Sequence, residues 1–431
     1  MKPFFCTPEN ENHFFGYYDK SPLNKDSKLL LTQKIAFNNR MPIEYEKLEI
    51  GLFSISDNNN FNKIATTSAW NWQQGSMLQW LGPEYEKVII FNDIYRNHFV
   101  TRKIDISNSK EEMFDFPIYT ISNDGNFGLS VDYERLYWLR KGYCYEGIIN
   151  PQKKNKLDPN DGIWKIDLIT SEIKQIINIQ QLLEVKPIET MFDDAAHYIE
   201  HLMINPSNNR FMFLHRWKMK SGDIYTRLFT ADVNGTDIVL LNDSGRMSHC
   251  CWMNNNEIIG YGGLSYYLDF LKKNKIDNKL FYGQVKNIYH FFSKRFPGIK
   301  KAVLNDSYIR FIDKTKVSEK ILPGILEYDG HPSFHPSNED YFITDTYPDL
   351  KGQSLLLFVN LINKRIVEID LLSQPVTFND TGYRCDLHPK WSIDGKFIAI
   401  DTFNNKNKRA VYLYNFEKFL NENTNSYSRV R

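Results

Sequence analysis

The chain has almost no charge bias: 53 lysines and arginines stand against 52 aspartates and glutamates in 431 residues. That balance excludes a general attraction to nucleic acid or to an anionic membrane. Cysteine is scarce and irregular. The five (Cys6, Cys144, Cys250, Cys251 and Cys385) are an odd number without regular spacing, and two are neighbours. This excludes a simple disulfide framework and implies a reducing compartment. No window approaches ~18 uninterrupted apolar residues, so no membrane span is expected. The opening stretch MKPFFCTPENENHFF has no apolar run of the kind a secretory leader needs. A cytoplasmic location is the expectation. Long amphipathic helical patterns are absent outside one insertion.

What is present is a repeat. The stretch HPKWSIDGKFIAIDT (388–402) is an aromatic residue, a polar Asp-Gly turn and an apolar run ending in Asp401. Turn chemistry between short apolar runs signals a hairpin. HPSFHPSNEDYFITDT (331–346), HLMINPSNNRFMFLHR (201–216) and HCCWMNNNEIIGYGG (249–263) repeat it. Weaker copies are IYTISNDGNFGLSVD (118–132), LQWLGPEYEKVIIFND (78–93) and YYDKSPLNKDSKLLLTQ (17–33). Successive copies lie ~40 to ~85 residues apart, room for about four short strands each. The expected architecture is all-β: one seven-bladed β-propeller over 1–431. Each copy should supply the inner strand, a turn and the second strand of a blade.

His197 and His201 stand four apart, the spacing of a helical zinc pair. Within the repeat they fall on a strand instead, and register becomes the more telling feature. In four consecutive copies a histidine precedes the large buried residue by three: His201 and Ile204, His249 and Trp252, His331 and Phe334, His388 and Trp391. Tyr17, Met77 and Ile118 hold roughly the matching place in the other copies. Equivalent positions are related by rotation about the propeller axis, so four imidazoles should ring one mouth of the channel. Either they are strand-start histidines bonded to backbone carbonyls, or they form a site. Imidazole is the commonest ligand for Zn, Mn, Fe or Ni, and the usual base near neutral pH.

Other side chains are expected near that mouth. Arg216 follows the second strand of the His201 copy. In TGYRCDLHPKW, alternation puts Arg384, Asp386 and His388 on one face. An arginine fork suits a carboxylate, and an Arg384–Asp386 structural pair is the competing reading. In WNWQQG (70–75), Trp72 with Gln73 and Gln74 suits a sugar ring, against plain core packing of the tryptophans. Tyr18 and Asp19 in the first copy, and Tyr347 in TDTYPD, are further substrate candidates. Asp345 ends a second strand as Asp93, Asp132 and Asp401 do, which favours a structural role.

Two insertions interrupt the pattern. In 265–301, nine lysines and arginines face two aspartates, with apolar residues at roughly helical spacing. This is expected to be a partly helical lid, with attraction to an acidic polymer or an anionic surface as an extra. The excursion 140–162 reads as a long loop with a turn at DPNDG.

The seven copies, with FGYYDKSP, HLMINPSNNRFMFLHRW, DGHPSFHPSNEDYFITDTYPD and RCDLHPKWSIDGKFIAID, resemble the oligogalacturonate lyase family. The family's proteins are seven-bladed propellers that cleave acidic oligosaccharides by metal-dependent β-elimination. A divalent ion, usually manganese, is held there by inner-strand histidines, and another histidine acts as base. Position by position, His249 and His388 match ligands, and His201 matches the region of the base. The family's last ligand strand also carries a glutamine, and a second histidine two residues before the final one. Here those places read approximately as Tyr383 and Asp386. The resemblance therefore implies His249, His331, His388 and Asp386 around Mn2+, with Zn2+, Ca2+ or Ni2+ as alternatives. It implies His201 as base with His197 in reserve, Arg216 and Arg384 on the substrate carboxylate, and an acidic, uronate-containing glycan as substrate. The competing functions are a glycoside hydrolase, whose carboxylate pair would be Asp19 and Asp386, and a non-catalytic propeller that binds a glycan or a protein.

Overall fold

The computed structural model describes residues 1–56, 60–192, 194–264 and 306–423. Each repeat folds as its turn chemistry demands, and the described strands form seven four-stranded antiparallel sheets. Among the described residues, three short helices accompany them, at Tyr133–Leu139, Ile179–Glu184 and Phe416–Asn423. The chain is a seven-bladed β-propeller.

Blades 1 to 6 run outward in chain order, their first strands being Asn12–Phe14, Gln79–Trp80, Thr120–Ile121, Ala196–Ile204, Met247–Trp252 and Ser333–His335. Blade 7 uses Lys390–Trp391, Phe397–Phe403 and Arg409–Asn415, and takes its outer strand, Phe5–Cys6, from the start of the chain. Phe5 pairs with Leu413 and Cys6 with Tyr412, which closes the ring. First strands of blades 3 to 6 each touch the first strand of the next blade, so these strands line the axis. The first blade departs from expectation. Its inner strand is Asn12–Phe14, upstream of the 17–33 copy, which contributes only a bridge from Leu23 to Leu30 before the second strand. Gly16 permits the break: its φ is +123°, and a Cβ there would meet the Gln74 carbonyl at 2.7 Å.

Two features of the repeat hold neighbouring blades in register. The indole N–H groups of Trp80, Trp252 and Trp391 donate to the Pro22, Met203 and Ser333 carbonyls, each on the preceding blade. The aspartate at the end of a second strand collects backbone N–H groups. Asp401 accepts from Phe15 and Gly16 of blade 1, while Asp345 accepts from His331 and from His388 of the next blade. Asp93 likewise accepts from Ser68. The structural reading of these aspartates is the one observed.

The 140–162 excursion is more ordered than a plain loop. It follows the helix Tyr133–Leu139 and includes a 3-10 turn at Pro151–Lys154. Buried Arg135 fastens it, donating to the Lys153, Asn155 and Lys156 carbonyls and to His197 of blade 4. The expected turn at DPNDG forms, with Asp161 N–H on the Asp158 carbonyl. The basic insertion 265–301 lies outside the described residues.

Candidate functional site

The four strand-start histidines meet. Ring centroids are 5.8 Å apart for His201 and His249, 4.0 Å for His249 and His331, and 4.3 Å for His331 and His388. All four are at most 4% exposed. The backbone device that turns them inward belongs to the repeat. His201 (φ +60°) and His388 (φ +44°) are left-handed, and so is Met77 (φ +55°), the matching residue of blade 2. Register shifts between Glu200 and Met203, and between Met247 and Cys250, mark bulges at the same level.

These imidazoles are not all tied off against main-chain oxygens. Both ring nitrogens of His201, and Nε2 of His331 and of His388, are buried without a hydrogen-bond partner. Buried polar nitrogens are normally satisfied, so such a cluster points to an absent ligand. His331 is the most constrained. Its Nδ1 lies 2.9 and 3.0 Å from the two Asp345 oxygens, which turns Nε2 toward the cluster. Nε2 of one ring, Nε2 of the next and an oxygen of Asp386 suit a divalent ion, and His331, Asp386 and His388 offer donor atoms all within 4.8 Å of one another. The donor set, two imidazoles and a carboxylate, fits Mn2+, Zn2+ or Ni2+ better than Ca2+, which prefers all-oxygen cages.

His249 stands beside this group rather than in it. Its Nδ1 faces Ser248 Oγ at 3.0 Å and Asp329 at 3.3 Å, while its Nε2 lies 3.4 Å from the Tyr347 hydroxyl. Electrostatics divide the rings. Burial pushes His201 down to about 4, against the pull of Glu200. Burial and the His331 ring lower His249, and burial followed by His331 takes His388 well below its ordinary value. At His331 burial opposes the charged ring, but Asp345 and then Asp386 outweigh it and raise the value. Carboxylates that favour a proton there favour a metal cation in its place.

Around the rings sit Tyr17, 5.4 Å from His201 and 5.3 Å from His388, and Tyr347, 5.7 Å from His331. Tyr143, carried by the excursion, lies 6.1 Å from His201. Arg384 holds Asp386 through Nε at 2.7 and 3.0 Å and covers the Tyr347 ring at 5.0 Å. Arg216 Nε lies 2.6 Å from Glu200 Oε1. Gln73 donates to the Arg384 carbonyl at 3.3 Å and Gln74 to the Tyr119 hydroxyl at 2.7 Å, which also accepts the His201 N–H. Each glutamine leaves its Oε1 buried and unpartnered.

Several expectations are corrected. His197 is not at the mouth chemistry: its Nε2 faces the Met191 carbonyl at 2.7 Å and its Nδ1 faces His215 at 3.0 Å. Trp72 is core packing, its ring against Phe14, Phe37 and Trp70 and its N–H on the Arg40 carbonyl. The Tyr18 hydroxyl is spent on the Cys250 carbonyl, and its ring packs under His249 and His331. Asp19 is paired with buried Lys20 at 2.7 Å. It lines a separate cavity of about 310 Å³ with Trp80, Phe334 and Trp391, residues near the far ends of the inner strands. Asp386, the other half of the hydrolase pair, does not line that cavity. Tyr17 stands beside the rings, as its place in the register implied, whereas Glu200, Asp329 and Tyr143 were missed. Only Glu200 carried a signal: it is a charged residue directly before a strand-start histidine.

No family model matches the chain, and no curated protein matches it. Solved structures do. Oligogalacturonate lyase from Vibrio parahaemolyticus superposes with a TM-score of 0.61 at 12% identity, covering 96% of this chain and 92% of that one. An oligogalacturonate lyase in complex with manganese gives 0.61 at 13% identity, with the same coverage. Tricorn protease gives 0.52 at 11% identity over 95% of this chain, but only 34% of its own. At these identities the likeness is one of fold.

Proposed function

We propose that the chain is a polysaccharide lyase that cleaves an acidic, uronate-containing oligosaccharide by β-elimination at the histidine mouth. The carrying observation is the convergence of four buried imidazoles with unpartnered nitrogens on His201, His331 and His388. Burial pushes His201 down to about 4, so its ring is neutral and its lone pair free at neutral pH. In this reading His201 removes the proton beside the uronate carboxylate. Arg384, about a quarter exposed at its side chain, takes that carboxylate in part exchange for Asp386, and Tyr347 walls the sugar. Arg216 lies behind His201 and supports it through Glu200. The unpartnered amide oxygens of Gln73 and Gln74 would accept from sugar hydroxyl groups. His331, His388 and Asp386 would hold the divalent ion, Mn2+ by analogy with the manganese-bound neighbour, and His249 would flank it. When bound, the ion would neutralise the substrate carboxylate and favour the enolate-like intermediate.

The test is a screen of uronate-containing glycans for near-ultraviolet absorbance from a new C=C bond. Wild-type protein should give it, chelator should abolish it, and His201→Ala should lower kcat by about 10²-fold or more. New reducing ends without that absorbance would mean hydrolysis, and glycan affinity with neither product would mean a binding propeller.

A further inference from the structure

We infer that Glu200 is a positioning residue that orients His201 through Nδ1 and leaves Nε2 as the free lone pair of the mouth. The inference rests on the reading of His201 as base. In a regular strand, neighbours point to opposite faces. Here they do not: Glu200 pairs with Leu214 and Met203 with Met212, so one extra residue is inserted between them. With His201 left-handed at φ +60°, both side chains reach one place, and Glu200 Oε1 lies 3.5 Å from His201 Nδ1. That is long for a hydrogen bond, as acid–base contacts often are before substrate arrives.

The repeat itself does not require this carboxylate. The residues before the six other matching positions are Gly16, Ser76, Pro117, Ser248, Gly330 and Leu387. Only the His201 copy carries a charge there, and it is fully buried. Such a carboxylate is costly unless paired. Arg216 at 2.6 Å and Arg140 at 3.3 Å supply the pairing, one from the second strand and one from the excursion. Two guanidinium groups keep Glu200 an acceptor, so it faces Nδ1 as a carboxylate oxygen that needs a donor. His201 N–H meanwhile is taken by the Tyr119 hydroxyl at 3.0 Å, which fixes the backbone under the ring. His331 repeats the arrangement with Asp345 at Nδ1 and an unpartnered Nε2.

The experiment is long-range 1H–15N correlation on 15N-histidine-labelled protein, with His201 assigned by its loss in His201→Ala. Wild type should show His201 as the Nδ1–H tautomer, and Glu200→Gln should shift it toward Nε2–H. Lyase kcat should fall roughly 10–100-fold in Glu200→Gln, the usual size for removing a supporting carboxylate, with KM within about twofold. An Nε2–H tautomer in wild type, or an unchanged tautomer in Glu200→Gln, would overturn the inference. The wild-type spectrum decides even if Glu200→Gln does not fold. An Nδ1–H tautomer in a protein without lyase activity would support the role of Glu200 while overturning the lyase reading.

Discussion

At the residue scale, the histidines are controlled by what shares their burial. His197 and His201 are each pushed down to about 4 by burial, and burial also lowers His249 and His388. The unfolded chain takes protons on these rings near pH ~6.5, whereas the folded chain resists, His197 and His201 until about 4. Their contribution to stability is therefore complete above about pH 6.5 and lost as the pH falls toward 4. His331 acts in the opposite sense: raised by its carboxylates, it contributes below pH ~6.5 and loses that contribution as the pH rises through its folded value. His13, His215 and His335 are lowered as well, so seven lowered rings outweigh the one raised ring. The thermal midpoint should drop between pH ~6.5 and ~4, and a scanning calorimetry series in which it rose on acidification would contradict this assignment.

At the element scale, legibility followed from what repeats. The register of a histidine three residues before a large apolar one could be read because rotation carries one position onto the next, and the meeting of four rings followed from it. What depended on a single contact could not be read. Trp72 and a sugar-facing tryptophan look alike in sequence; only Phe14, Phe37 and the Arg40 carbonyl decide that its faces are used up. Asp19 was assigned to the wrong mouth because the inner strand of blade 1 begins at Asn12, ahead of the copy that suggested it. Glu200 was hidden because a bulge breaks the alternation by which facing is read. The indole contacts between blades test the same repeat. Trp391→Phe keeps the ring and removes its N–H bond to the Ser333 carbonyl across the seam between blades 6 and 7. It should cost about 1–3 kcal/mol, measured by urea unfolding, because a part-buried carbonyl loses its donor.

At the scale of the whole molecule, the described chain is a ring of seven blades with four histidines gathered where the inner strands start. No helix among the described residues is long and apolar enough to cross a membrane. A divalent ion binding His331, His388 and Asp386 engages blades 6 and 7 and the segment before Lys390 together, so it should stabilise the fold by mass action. At ~100 times its dissociation constant, Mn2+ should add about 2.7 kcal/mol, seen as a higher thermal midpoint that chelator reverses. His331→Ala and His388→Ala should each abolish most of that gain, whereas Trp72→Phe should leave it unchanged. Equal midpoint gains in wild type and both histidine variants would place the ion elsewhere.

The closing strand has a consequence for biosynthesis. Phe5 and Cys6 wait for Arg409–Asn415, which the ribosome makes some 400 residues later. Tyr17 waits equally long for His388. A growing polypeptide can therefore assemble its middle blades while its chemistry is still in pieces. A product that stops before Arg409 should leave Phe5–Cys6 without its partner strand and the ring open.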